Sequence, residues 1–135
     1  MKKIIVLIIG LILFSCSTND DSFVMYQDPM PVESVILPDE FVLNETYEIT
    51  VTYLKPTSCH TFSDIFYKKN QNNRTVVIIG TVFQNNTNCE ELNTPFEASF
   101  NFTATETGSY VFKFWESKND EGEDVYLTIE VPVLG

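Results

Sequence analysis

Apolar and polar residues alternate with a period of two along most of the chain beyond residue 33, the pattern of strands with one buried face. Tyr47, Ile49, Val51 and Tyr53 alternate with Glu48, Thr50 and Thr52. Phe96, Ala98, Phe100, Phe102 and Ala104 alternate with Glu97, Ser99, Asn101 and Thr103, the clearest strand in the sequence. Tyr110, Phe112 and Phe114 form another such set, and Val125, Leu127, Ile129 and Val131 close the pattern. Glu33 to Leu37 reads as a short first strand ended by Pro38. Thr75 to Phe83 is apolar on both faces, interrupted only by Gly80 and Thr81. Thr61 to Lys69 is strand-like, but its inward set is open between Phe62 with Phe66 and Ile65 with Tyr67. Polar turns separate these runs, and Gln84 to Pro95 is a long polar loop carrying Cys89. No window beyond residue 16 repeats apolar residues every 3.6 positions or so, as a helix would. Seven strands with closely spaced turns predict an all-β domain of two packed antiparallel sheets.

One stretch adds detail. Glu106-Thr107-Gly108-Ser109-Tyr110-Val111-Phe112 resembles the corner before the sixth strand of immunoglobulin-like domains, where a Gly turn precedes a Tyr whose hydroxyl bonds back to the chain. The resemblance implies a seven-stranded antiparallel immunoglobulin-like sandwich with Tyr110 buried. Such domains often carry Cys two residues after the Tyr, where Phe112 stands here. The second strand has Ile49 and Val51 in place of a Cys, and the third has no Trp. An apolar core would replace the inter-sheet disulfide. Another β-sandwich topology stays open.

The first 15 residues follow different rules. Lys2 and Lys3 precede an apolar run from Ile4 to Phe14, shorter than the about 20 residues a membrane-crossing helix needs. Residues 1–15 therefore read as a signal peptide. The run ends in Leu13-Phe14-Ser15-Cys16, which resembles the lipobox of bacterial lipoproteins. The resemblance implies cleavage after Ser15, a diacylglycerol on the Cys16 thiol, and a palmitate-type acyl chain on its new amine. Residues 16–32 are rich in Ser, Asp, Asn and Pro and read as a flexible tether, leaving 33–135 as the domain. Asn19-Asp20-Asp21 resembles the acidic export signal behind the acylated cysteine of surface lipoproteins in the Bacteroidetes group. That implies an outer-membrane anchor and exposure at the cell surface; a merely solvated acidic linker is the alternative.

Charge narrows the partners. The chain carries −11, and removal of Lys2 and Lys3 leaves six basic against 19 acidic residues, a net −13. Such a domain is repelled by nucleic acid and by anionic lipid surfaces. Membrane contact would come from the lipid at Cys16, each buried CH₂ contributing about 0.8 kcal/mol. Once Cys16 is assigned to lipid, Cys59 and Cys89 remain, and an even remainder in an exported chain favours a disulfide. Closing that loop would stabilise the fold by about 3–4 kcal/mol on the chain-entropy account. Free thiols, or a metal site using His60 beside Cys59, are the other readings.

No catalytic constellation is visible. His60 is the only histidine, so a Ser-His-Asp arrangement would have to use it. No Gly-rich phosphate loop and no zinc spacing is present, and no cofactor is expected. The acidic run Asn119 to Asp124 could offer oxygens to Ca²⁺, but it lacks the alternate-position acids of an EF-hand loop, and a solvated hairpin connection is the preferred reading. The outer face is more informative. If Phe114 pairs with Leu127 inward, cross-strand register pairs Trp115 with Tyr126 outward. Such a pair would serve as a sugar-stacking platform or protein anchor, extended by the apolar outer side of residues 76–83. An ordinary cross-strand aromatic pair covered by loops is the structural alternative. The expectation is a non-enzymatic surface lipoprotein that binds a protein or glycan. Its rivals are an accessory subunit of an outer-membrane complex and a hydrolase acting on glycan or peptide.

Overall fold

The computed structural model describes residues 25–83, 88–92 and 94–135. The stretches read as signal peptide, lipid-bearing Cys16 and acidic export signal lie outside the described residues. The chain is an all-β sandwich of nine strands among those residues: β1 (Met25–Met30), β2 (Val32–Ile36), β3 (Phe41–Val42), β4 (Thr46–Leu54), β5 (His60–Asn70), β6 (Asn73–Phe83), β7 (Pro95–Thr103), β8 (Gly108–Lys118) and β9 (Asp124–Leu134). One sheet has the order β2-β4-β7; the other runs β1-β6-β8-β9-β3, with β5 on the opposite flank of β6.

Two strands exceed the seven expected. β3 is a two-residue segment beside the end of β9. β1 falls within residues 16–32, the stretch read as tether, and pairs antiparallel with β6 from Met25↔Phe83 to Met30↔Ile78. Its Met30 is fully buried. Gly80 makes room for it, since a Cβ there would meet the Met30 sulfur at 2.8 Å.

The antiparallel expectation also needs correction. β6 pairs with β8 in parallel over Asn73↔Val111 to Val76↔Phe114, and β3 pairs with β9 in parallel. The first follows from connectivity: the chain leaves β6, crosses to the other sheet as β7 and returns as β8. Two reversals of direction restore the original one. β6 is thus the hub of its sheet, flanked by β5 on one side and by β1 and β8 on the other. The inner residues of β6, Val76 and Ile78, are in the core, and its outer residues Val77 and Ile79 face the other side of the sheet.

The core joins Ile49, Val51 and Tyr53 of β4 and Phe102 of β7 to Val76, Ile78, Phe112 and Phe114 across the sandwich. Fully burying each of these side chains contributes about 1.5–3 kcal/mol. Phe41 lies against Phe102 with ring centres 4.9 Å apart, and Phe102 meets Tyr110 edge-on at 4.9 Å. The Tyr110 hydroxyl accepts hydrogen bonds from the backbone N–H of Thr105 (3.1 Å) and Glu106 (2.9 Å). Gly108 turns the chain between them at φ +98°, a conformation that costs an L-residue strain. The corner expected from residues 106–112 is present.

The open question over β5 has a geometric answer. Phe62 pairs with Gly80 and Asp64 with Ile79, so Ser63 is an extra residue in a β-bulge. A bulge reverses the alternation. Phe62 therefore approaches Tyr53 at 6.1 Å on the inner side, Ile65 and Tyr67 pack on the core, and Phe66 points outward, half exposed.

Candidate functional site

Cys59 and Cys89 form a disulfide with Cα atoms 5.4 Å apart. It sits beside the start of β5, where the Cys59 carbonyl accepts from the Phe83 N–H. His60 is buried next to it. Its Nε2 donates to Asp28 Oδ2 of β1 at 3.2 Å, and its Nδ1 pairs with Thr57 Oγ1 at 2.8 Å. The Thr57 oxygen also accepts from the Cys59 N–H. This network fastens β1 to the disulfide corner, and none of its members lines either cavity described below. Among the described residues, no three His, Cys, Asp or Glu side chains are grouped to hold a metal ion. In the acidic loop, Asn119 Oδ1 accepts from the N–H of Glu121 and of Glu123, and Gly122 turns at φ +77°. That oxygen is spent on the loop's own backbone.

The register deduced for β8 and β9 holds: Phe114 pairs with Leu127 and Trp115 with Tyr126. Trp115 and Tyr126 share the outer face of the six-stranded sheet. The exposure expected of them does not hold for Trp115, which is only 8 % exposed. Three things cover it. β1 extends the sheet next to β8, and Pro29 of β1 lines the same groove as the indole. A bulge at Glu116, between the paired positions Trp115 and Ser117, shifts the end of the strand. Asp124 Oδ1 then accepts from the indole N–H at 2.9 Å, with Lys118 Nζ 3.5 Å from the same oxygen. The indole hydrogen bond, followed by the Lys118 charge, holds the Asp124 carboxyl below the usual carboxylate range.

What remains open on this face is a shallow groove of about 350 Å³. Val77 and Ile79 of β6 form its floor, with Phe66 on one side and Trp115 and Tyr126 on the other. Phe66 is 50 % exposed and stands opposite Val77 in the β5–β6 register. The outward apolar residues of β6 were readable in the sequence. Phe66 was not, because the bulge at Ser63 decides its side. Pro29 was missed with the rest of β1. The groove can offer shape and dispersion to an apolar surface, with Lys118 and Asp124 as a polar margin.

Residues 49–129 match the ORF11 beta-sandwich domain. That span runs from within β4 to within β9 and takes in the disulfide and most of the groove, leaving β1 outside. No curated protein and no solved structure matches the chain. With more than half of its length matched, the chain belongs to the ORF11 beta-sandwich domain family.

Proposed function

We propose that this chain is a non-enzymatic, lipid-anchored binding module of a bacterial envelope, contacting a protein partner through the outer groove of its six-stranded sheet. One observation carries the reading: Phe66 lies half exposed beside Val77 and Ile79 on a sheet face turned away from the core. An aliphatic-aromatic patch rimmed by charge suits the centre of a protein interface. The covered Trp115 weighs against a glycan. Sugar stacking needs an open ring face, and this indole is packed against its neighbours. The tyrosine corner at Tyr110 supports an immunoglobulin-like reading of the sandwich, from which the parallel β6–β8 contact departs. The lipobox at Leu13 to Cys16 supports anchoring, and Asp20-Asp21 supports the cell surface of the outer membrane as the location.

The test is capture of the partner from the native envelope by the intact lipoprotein, compared with Phe66→Ser and Ile79→Ser variants. The expected result is loss of one specific protein in both variants with little change in unfolding midpoint for Phe66→Ser. Retention of the same protein by both variants overturns the reading. A captured protein that belongs to a multi-subunit membrane complex would identify the module as an accessory subunit using the same face. Cys16→Ser checks the anchor independently: the variant should accumulate as unprocessed precursor without the mass of the lipid.

A further inference from the structure

A second cavity, of about 470 Å³, opens on the flank of the sandwich between β5 and β7. These are edge strands, each at the border of its own sheet. The cavity is lined by Tyr67, Lys69 and Arg74 from the β5–β6 hairpin, by Phe100 and Thr103 of β7, and by Thr105 just beyond it. Tyr67 and Phe100 pack ring on ring at 5.7 Å. Volume and half-apolar lining are those of a small-molecule site.

Its electrostatics are unlike the rest of the molecule. Arg74 is the only arginine in a chain with 19 acidic residues, and it is just 7 % exposed. Its Nη1 donates to the Gln71 and Asn73 carbonyls at 2.6 and 3.0 Å. Its guanidinium carbon lies 5.1 Å from the Tyr110 ring centre and 5.8 Å from that of Phe102. Among the described residues no carboxylate neutralises it, the ion pairs there being His60–Asp28 and Lys118–Asp124. Arg74 Nε is also the one buried side-chain nitrogen or oxygen among them without a hydrogen-bond partner. Directly opposite Arg74 in the β5–β6 register stands Lys69, a second cation, where like charges disfavour each other. Among the described residues, no Asp or Glu lines the cavity. A buried charge is ordinarily paired, because leaving it alone forfeits its hydration without return.

We propose that this cavity binds a carboxylate carried on an apolar body, which supplies the counter-charge the chain withholds. The Arg74 guanidinium and the Lys69 ammonium face the carboxylate; the Tyr67 hydroxyl, whose oxygen already accepts from Arg74, and the Thr105 hydroxyl can each donate their proton to it. Ile65 and Phe100 line the space for the apolar part. A planar monoanion suits the site better than phosphate. Part of the guanidinium is already committed to the turn carbonyls, and the apolar walls offer a phosphate dianion too few donors. This site is separate from the outer groove and stands or falls independently of the protein-binding reading.

A single arginine gives a single side-chain Nε–Hε signal in a ¹H–¹⁵N spectrum, so the intact protein reports on the site without mutation. Benzoate, octanoate and 4-phenylbutyrate serve as probes. The amide 4-phenylbutyramide is the neutral control, and inorganic phosphate is the anion without an apolar body. Saturable movement of the Arg74 Hε signal and of the Thr105 amide is expected with at least one carboxylate. Affinity for the amide and for phosphate should be at least tenfold weaker. Lys69→Gln, an exposed position that leaves the core intact, should weaken the carboxylate several-fold. The proposal is overturned if none of the three carboxylates moves the Hε signal, if the amide binds as tightly, if phosphate alone binds as tightly, or if Lys69→Gln changes nothing.

Discussion

Tyr110 and Trp115 lie five residues apart on the same strand, and their environments were set by different kinds of contact. Tyr110 points to the core, and its hydroxyl is held by backbone N–H groups four and five residues upstream. The partners of that hydroxyl lie within one short turn. Trp115 points the other way. It shares its groove with Pro29, from a strand some 86 positions earlier, and is hydrogen-bonded to Asp124 across the hairpin. A local motif predicts burial because the cause is local. An outward residue is exposed only if nothing distant in sequence comes to cover it, and here β1 does.

That contrast can be broken in several ways. The most disruptive is deletion of residues through Met30. It removes a fully buried side chain together with the strand that borders Trp115, and loss of a buried Met alone costs about 2–5 kcal/mol. As the only tryptophan, Trp115 should shift its emission to longer wavelength in the truncated protein even where the sandwich stays folded. Unchanged emission would show that β1 does not cover the ring. Next, Trp115→Ala should cost about 3 kcal/mol in a denaturant titration, whereas an exposed ring would cost almost nothing. Tyr110→Phe should follow at about 1–2 kcal/mol, because two part-buried backbone N–H groups lose their acceptor. A neutral Tyr110→Phe would mean that water satisfies the corner equally well.

The smallest effect is a titration. The Asp124 pKa is lowered in the folded protein by the indole hydrogen bond and Lys118. Its contribution is therefore complete above the ordinary carboxylate pKa and lost as pH falls through the lowered folded value. Trp115 emission should report that loss only on the acid side of a normal Asp titration, and Asp124→Asn should abolish the step.

The strands of the sandwich were legible wherever one face met the core and the other met water. β4, β7, β8 and β9 all show that alternation, and the Trp115–Tyr126 register followed from it. β1 gave no such signal, since Met25-Tyr26-Gln27-Asp28-Pro29-Met30 has no clean period and contains a proline. Its strand character comes from the free edge of β6, a partner about 50 residues away. β6 is apolar on both faces, and its outer residues Val77 and Ile79 form the floor of the groove. The bulge at Ser63 was illegible for a similar reason, as an extra residue shows itself only against a partner strand. Nothing in the sequence around Arg74 signals its burial, and the cavity beside it exists only where the edges of two sheets come to face each other.

The early start of β1 also sets a distance. A tether from Cys16 to residue 33 would let the domain float roughly 60 Å from its anchor when fully stretched, at about 3.3–3.6 Å per residue. With the sheet beginning at Met25, the proposed lipid on Cys16 would leave roughly 30 Å of slack at most. A domain anchored in that way would sweep only the layer next to the membrane. A partner for its outer groove would then have to reside in that layer or reach into it, and a soluble protein passing farther out would go unmet.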